Sequence, residues 1–308
     1  CSLSNETTIV ALLIITTILW AFSFSLIGEY LAGSVDSYFS VLMRVGLAAL
    51  VFLPFLRTRG QSPRTIVLYM LVGAMQLGIM YLLAFRAYLY LTVSEFLLFT
   101  VFTPLYITLI YDLLSGRKLR WGYLLSAALA VLGAAIIRYD KVSDHFWTGL
   151  LLVQLSNLCF AIGMVGYKRL MEVRPMPQHN AFAWFYVGAF IVAVAAWFML
   201  GNAQKLPTTT LQWSVLVWLG VVASGLGYFM WNYGATQVDA GTLGIMNNVH
   251  VPAGLLVNLA IWQEQPHWPS FISGALVILA SLWVHRRWVA PHSGQTADDR
   301  RRGSAQSE

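Results

Sequence analysis

The sequence predicts an all-α membrane protein, with ten transmembrane helices in two inverted five-helix repeats. Three observations predict it: too little charge for a soluble domain, ten apolar stretches of spanning length, and a repeat at an offset near 147 residues. Of 308 residues, 58% are hydrophobic and 10% are charged, whereas soluble domains carry about a quarter charged residues. That excludes a soluble enzyme, a disordered chain and a coiled coil. The two cysteines, Cys1 and Cys159, suit neither a disulfide framework nor a zinc site, so no cofactor is expected. Cys1 at the head of the chain is expected to reflect a trimmed or renumbered terminus.

A helix needs about 20 mainly apolar residues to cross the hydrocarbon core, because lipid offers no partner to open backbone groups. The stretches run 9–31, 37–56, 65–88, 93–113, 121–137, 147–169, 181–200, 211–235, 241–262 and 270–284. Residues 1–8 precede them, the repeats occupy 9–140 and 141–288, and the polar tail 289–308 is expected to be disordered.

Basic residues in short loops stay on the cytoplasmic side. With the N-terminus inside, the inner loops and tail hold Arg57, Arg59, Arg64, Arg117, Lys118, Arg120, Lys168, Arg169, Arg174, Arg286, Arg287, Arg300, Arg301 and Arg302. The other side holds Arg86, Arg138, Lys141 and Lys205, and Arg44 lies within a span. Both termini are therefore expected inside, at the inner membrane of a bacterial-type cell. The formal charge of +6 is spread over these anchors, which excludes a nucleic-acid partner.

Residues 73–87 align with 220–234, placing Gly73 on Gly220 and Tyr81 on Tyr228, and 121–132 align with 268–279, both at 147. Pro104 and Pro252 fall in the fourth and ninth spans at 148, and 18–31 match 157–170 more weakly at 139. Five spans per half force the second half to enter the bilayer from the opposite face. Such inverted repeats can rock about their shared interface and expose one site to either side in turn.

With Leu19-Trp20-Ala21 in the first span, Leu42-Met43-Arg44 in the second, Pro104 and Pro252 at mid-span, the run 227–233 in the eighth and Trp262-Gln263-Glu264 closing the ninth, the chain resembles the drug/metabolite transporter superfamily. Its EamA-type ten-span branch is the nearest in pattern, over nearly all of 9–288. The first half departs from that pattern where Gly116-Arg117 replaces the usual Gly-Glu. The resemblance implies a secondary carrier of small metabolites, with amino acids or related amines and carboxylates first in line for export and protons a candidate coupling ion. It names neither cargo nor oligomeric state.

Ionisable groups inside spans are costly and mark functional candidates. Glu29 and Arg44 flank the first hairpin at comparable depth and are expected to pair, while Arg86 suits an interfacial, snorkelling position. Glu95, Phe99, Phe102 and Tyr106 share a helical stripe, one carboxylate above three rings, which makes Glu95 a substrate or proton candidate and Phe99 a wall for a substrate. The ninth span carries Asn247-Asn248-Val249-His250-Val251-Pro252, where Pro252 disturbs the backbone and Asn247, His250, Gly254 and Asn258 share a face. His250 adds a side chain whose charge changes near physiological pH. Ser224, Tyr228 and Asn232 in the eighth span, Tyr81 in the third, Asn157 in the sixth, and Trp20 and Phe24 in the first complete an apolar site with few polar groups. Core packing and interhelical hydrogen bonding compete as explanations for each.

Rival functions fare worse. A nucleotide-sugar carrier needs central cations for phosphates, and a drug carrier belongs to the same superfamily. An intramembrane enzyme or lipid-handling protein is the alternative from another class. Ser224 with His250 lacks an orienting third group for protease chemistry, and Gly225 with Gly227 lacks the strand and lysine of a phosphate loop.

Overall fold

A computed structural model describes residues 2–114, 116, 118–119, 121–137, 144–238, 243, 246–263, 265 and 267–288. Arg117, Arg120, Arg138, Lys141, Glu264 and the C-terminal arginines beyond 288 lie outside them. Among the described residues, seven helices are long and apolar enough to cross a membrane: α1 (Thr7–Leu31), α2 (Ser37–Phe55), α3 (Pro63–Ala87), α4 (Val93–Leu114), α6 (His145–Val173), α7 (Gln178–Leu200) and α8 (Thr210–Ala235). Between and after them come α5 (Trp121–Ile137), α9 (His250–Val257, continued by a π turn at Asn258–Trp262) and α10 (Trp268–Trp288).

Local chemistry sets the helix starts. Asp36 caps α2 by accepting the Phe39 N–H, and Ser62 caps α3 by accepting that of Thr65 with Pro63 next in line. Thr92 and Glu95 form a reciprocal capping box on α4, as Thr209 and Gln212 do on α8. The turns after α1 and α2 place Gly33 and Gly60 at φ of +78° and +80°, where a Cβ is strained.

The duplication reaches these details. The caps Ser62 and Thr209 stand 147 residues apart, and both α3 and α8 widen into a π segment just beyond, at Ala74–Ile79 and Leu219–Leu226. Packing has the same symmetry. α5 packs on its counterpart α10, and α2 on its counterpart α7; α3 meets α7 and α6 as α8 meets α2 and α1; α4 packs on α6 as α9 does on α1. Exchanging the halves leaves this contact pattern unchanged, so a twofold relation links the repeats, and five spans in each make them antiparallel.

Helices without a hydrophobic drive to associate in lipid rely on close backbone approach. At the α3–α7 crossing a Cβ on Gly73 would overlap the Phe185 carbonyl, and one on Gly188 would overlap that of Met70.

Candidate functional site

The seam between the halves holds a cavity of about 90 Å³. One water needs about 10–15 Å³ on such a scale, so several waters or a small organic group fit. Its walls come from the later turns of α1 and α3, the early turns of α4, and α6, α8 and α9, with Arg44 from α2. It therefore lies nearer the face carrying the α1–α2 turn.

One wall is aromatic. Trp20 lies 4.7 Å from Tyr228 and 6.3 Å from Phe160, centroid to centroid, and its Nε1–H donates to the Ala223 carbonyl at 2.9 Å. That carbonyl belongs to the π segment of α8, where the regular ladder is interrupted. The Tyr186 hydroxyl donates to the Ser224 and Gly225 carbonyls, at 2.5 and 2.9 Å, in the same stretch.

Ser224 is a junction of four helices. Its hydroxyl accepts from Arg44 Nε of α2 at 2.6 Å and shares a hydrogen bond of 2.7 Å with the Tyr81 hydroxyl of α3. The Arg44 guanidinium carbon sits 4.2 Å from the Tyr81 ring centre, a cation–π contact on the cavity wall.

The opposite wall is more polar. His250 stacks on Phe24 at 5.1 Å, and its Nε2 lies 3.0 Å from the Thr100 hydroxyl, which donates to the Leu97 carbonyl. Asn157 Nδ2 donates to the Phe99 carbonyl at 2.9 Å, where α4 tightens into a 3₁₀ turn at Thr100–Phe102. Tyr88 stacks on Phe96 at 4.2 Å. Three buried polar atoms on the lining lack a good partner: the Tyr88 hydroxyl, Asn247 Nδ2 and His250 Nδ1, for which the Asn247 carbonyl is at most a weak one. Buried polar groups are nearly always satisfied, so three orphans around one cavity call for a polar occupant there, water or ligand.

Of the residues singled out from the sequence, Trp20, Phe24, Tyr81, Asn157, Tyr228, Asn247, His250 and Arg44 line this cavity. Phe99 and Asn232 are absent from the lining. Phe99 is fully buried against Phe146, and Asn232 exchanges two hydrogen bonds of 2.9 Å with Gln76 of α3. Glu95 caps α4, accepting the Thr92 N–H at 3.1 Å, and is absent from the lining. The pairing of Arg44 with Glu29 is not what forms: Glu29 is exposed, whereas Arg44 is buried and turned to Ser224 and Tyr81. Asn258 joins α1 to α4 through Ser25 and Ser94.

Sequence reasoning missed Tyr88, Phe96, Thr100, Thr103, Ser156 and Phe160. The stripe Glu95, Phe99, Phe102 and Tyr106 on α4 is one residue out of register with the lining set Phe96, Thr100 and Thr103. The signal was present, since Thr92-Val93-Ser94-Glu95 is a capping-box pattern that assigns Glu95 to the backbone.

Comparison with known proteins agrees with this architecture. A crystal structure 17% identical in sequence superposes with a TM-score of 0.62, covering 91% of this chain and 96% of that one, which supports the fold alone. A protein of Escherichia coli (strain K12) named "Biotin transporter" is 83% identical over 298 residues, 97% of this chain and 100% of its own length. A "Probable biotin transporter" of Pseudomonas aeruginosa is 55% identical, over 89% of this chain and 96% of its own. The model of the EamA-like transporter family matches residues 7–139 and again 147–286, one copy per repeat. The chain thus belongs to the EamA-like transporter family, as a multi-pass membrane transporter and not an enzyme.

Proposed function

We propose that this transporter carries biotin by alternating access around the cavity between its repeats. The observation that carries the reading is the 83% identity, over the full length of the relative, to a protein named as a biotin transporter. It moves the expected cargo from amino acids to a larger, amphipathic carboxylate. The chemistry of the lining supports it. The fused rings and aliphatic chain of biotin suit the walls of Trp20, Phe24, Phe160 and Tyr228, and its ureido group offers two N–H donors and one carbonyl. That carbonyl is an acceptor for Asn247 Nδ2 and the Tyr88 hydroxyl, two of the unpartnered groups. Phe99, Asn232, Glu95 and Glu29 have no substrate role in this reading.

The Lys and Arg distribution supports an inner-membrane placement with both termini cytoplasmic. In that orientation the cavity lies nearer the outside. Beneath it stand the Gln76–Asn232 pair, Trp231 on Met164, and Lys168 donating to the Ala235 and Val238 carbonyls. These form the closed inner gate of the cycle.

The test is counterflow of labelled biotin into sealed vesicles holding the purified chain and unlabelled biotin. Accumulation, competed by excess biotin and not by amino acids, is expected. Accumulation competed by amino acids, or none at all, rejects the reading.

A further inference from the structure

We propose that Arg44, on the cavity wall beside Tyr81 and held from behind by the buried Ser224, forms a carboxylate subsite, so that the cargo is held as its anion. The proposal rests on the biotin reading and assigns the part of that site which grips the charged end.

Arginine stays ionised in proteins, and a buried, unpaired charge costs several kcal/mol. Arg44 is only 4% exposed and lies within a membrane span. Yet among the described residues no aspartate or glutamate lies within ion-pair distance of it; the nearest neighbours are a hydroxyl and a ring face. The buried acids Glu95 and Asp112 lie elsewhere, one in the cap of α4 and the other toward its far end. A structural arginine at this depth calls for a carboxylate from the protein. One on a cavity wall calls for a carboxylate from the cargo.

The geometry prepares that partner. Ser224 engages Nε, and the Tyr81 ring lies under the guanidinium carbon, so two contacts fix the side chain and leave its terminal nitrogens for a bidentate grip. Ser224 is itself tied to Tyr81, and its carbonyl to Tyr186. The fork is therefore preorganised by three neighbouring helices. A cation of this kind separates acid from amide, because the neutral analogue leaves the guanidinium buried and uncompensated.

The experiment measures binding of biotin and of biotinamide, which differ only at the carboxyl group, to the purified full-length chain by titration calorimetry. Arg44→Gln, Arg44→Lys and Ser224→Ala are compared with the exposed control Arg169→Gln. Wild type is expected to prefer biotin by at least about tenfold, and Arg44→Gln to lose that preference by weakening biotin alone. Ser224→Ala keeps the charge but frees its orientation, so it should lower the preference by a smaller factor while biotinamide binding stays level. If Arg44→Gln does not fold, the wild-type ratio and Ser224→Ala decide. Equal binding of acid and amide by wild type overturns the subsite and leaves the biotin reading standing. Binding of neither ligand overturns the biotin reading itself.

Discussion

Replacing Asn232 with leucine removes both hydrogen bonds that tie α8 to α3 below the cavity and leaves the Gln76 amide stranded. Both residues are fully buried, and the two bonds are 2.9 Å each. Hydrogen bonds between membrane helices average about 0.6 kcal/mol and reach about 1.7, so the pair is worth about 1–3 kcal/mol. Gln76 cannot turn away freely, because its Cβ and Cα lie against Gly163 of α6 with no space for a side chain there. Asn232→Leu and Gln76→Leu should each destabilise by about 2–3 kcal/mol, since each leaves a buried amide unsatisfied. The double substitution removes both amides and should cost clearly less than the sum. A double-mutant cycle of unfolding free energies, measured by titrating a denaturing detergent into mixed micelles, reads the coupling directly. Additivity within about 0.5 kcal/mol would refute the claim that the two amides act as one unit.

Three further outcomes follow from the same geometry. Asn247→Leu replaces an unsatisfied buried donor with an apolar group, so the empty protein should keep or slightly raise its melting temperature while stabilisation by biotin falls, as thermal-shift curves with and without ligand will reveal. Gly188→Ala drives a Cβ into the Met70 carbonyl at the α3–α7 crossing; the expected result is loss of monodisperse protein in size-exclusion chromatography, and a normal profile would contradict the packing. Lys168→Met strips the carbonyls of Ala235 and Val238 of a donor, which should speed amide exchange at the end of α8 while the start of α8 stays protected.

The fold was legible because its determinants are one-dimensional. Span length and a 147-residue offset survive in sequence without knowledge of packing, and the offset extends to the caps Ser62 and Thr209. Much of the cavity was legible for the same reason: polar residues such as Asn247 and His250 stand out against an apolar span. What stayed hidden depends on reach and rotation. Arg44 lies on α2, and its long side chain carries the charge to Ser224 of α8. The short 3₁₀ turn at Thr100–Phe102 interrupts α4 just where a regular 3.6-residue stripe was drawn through it. The Gln76–Asn232 pair joins residues 156 apart in sequence, and neither position is the repeat equivalent of the other, so the duplication offered no clue.

A map of the purified transporter bound to biotin, at a resolution that places side chains, tests the central claim most directly. The account predicts biotin within the cavity between the repeats, its carboxylate on Arg44 and its ring system among Trp20, Phe24 and Tyr228. Biotin found on a lipid-facing groove, or inside with its carboxylate turned away from Arg44, would contradict it.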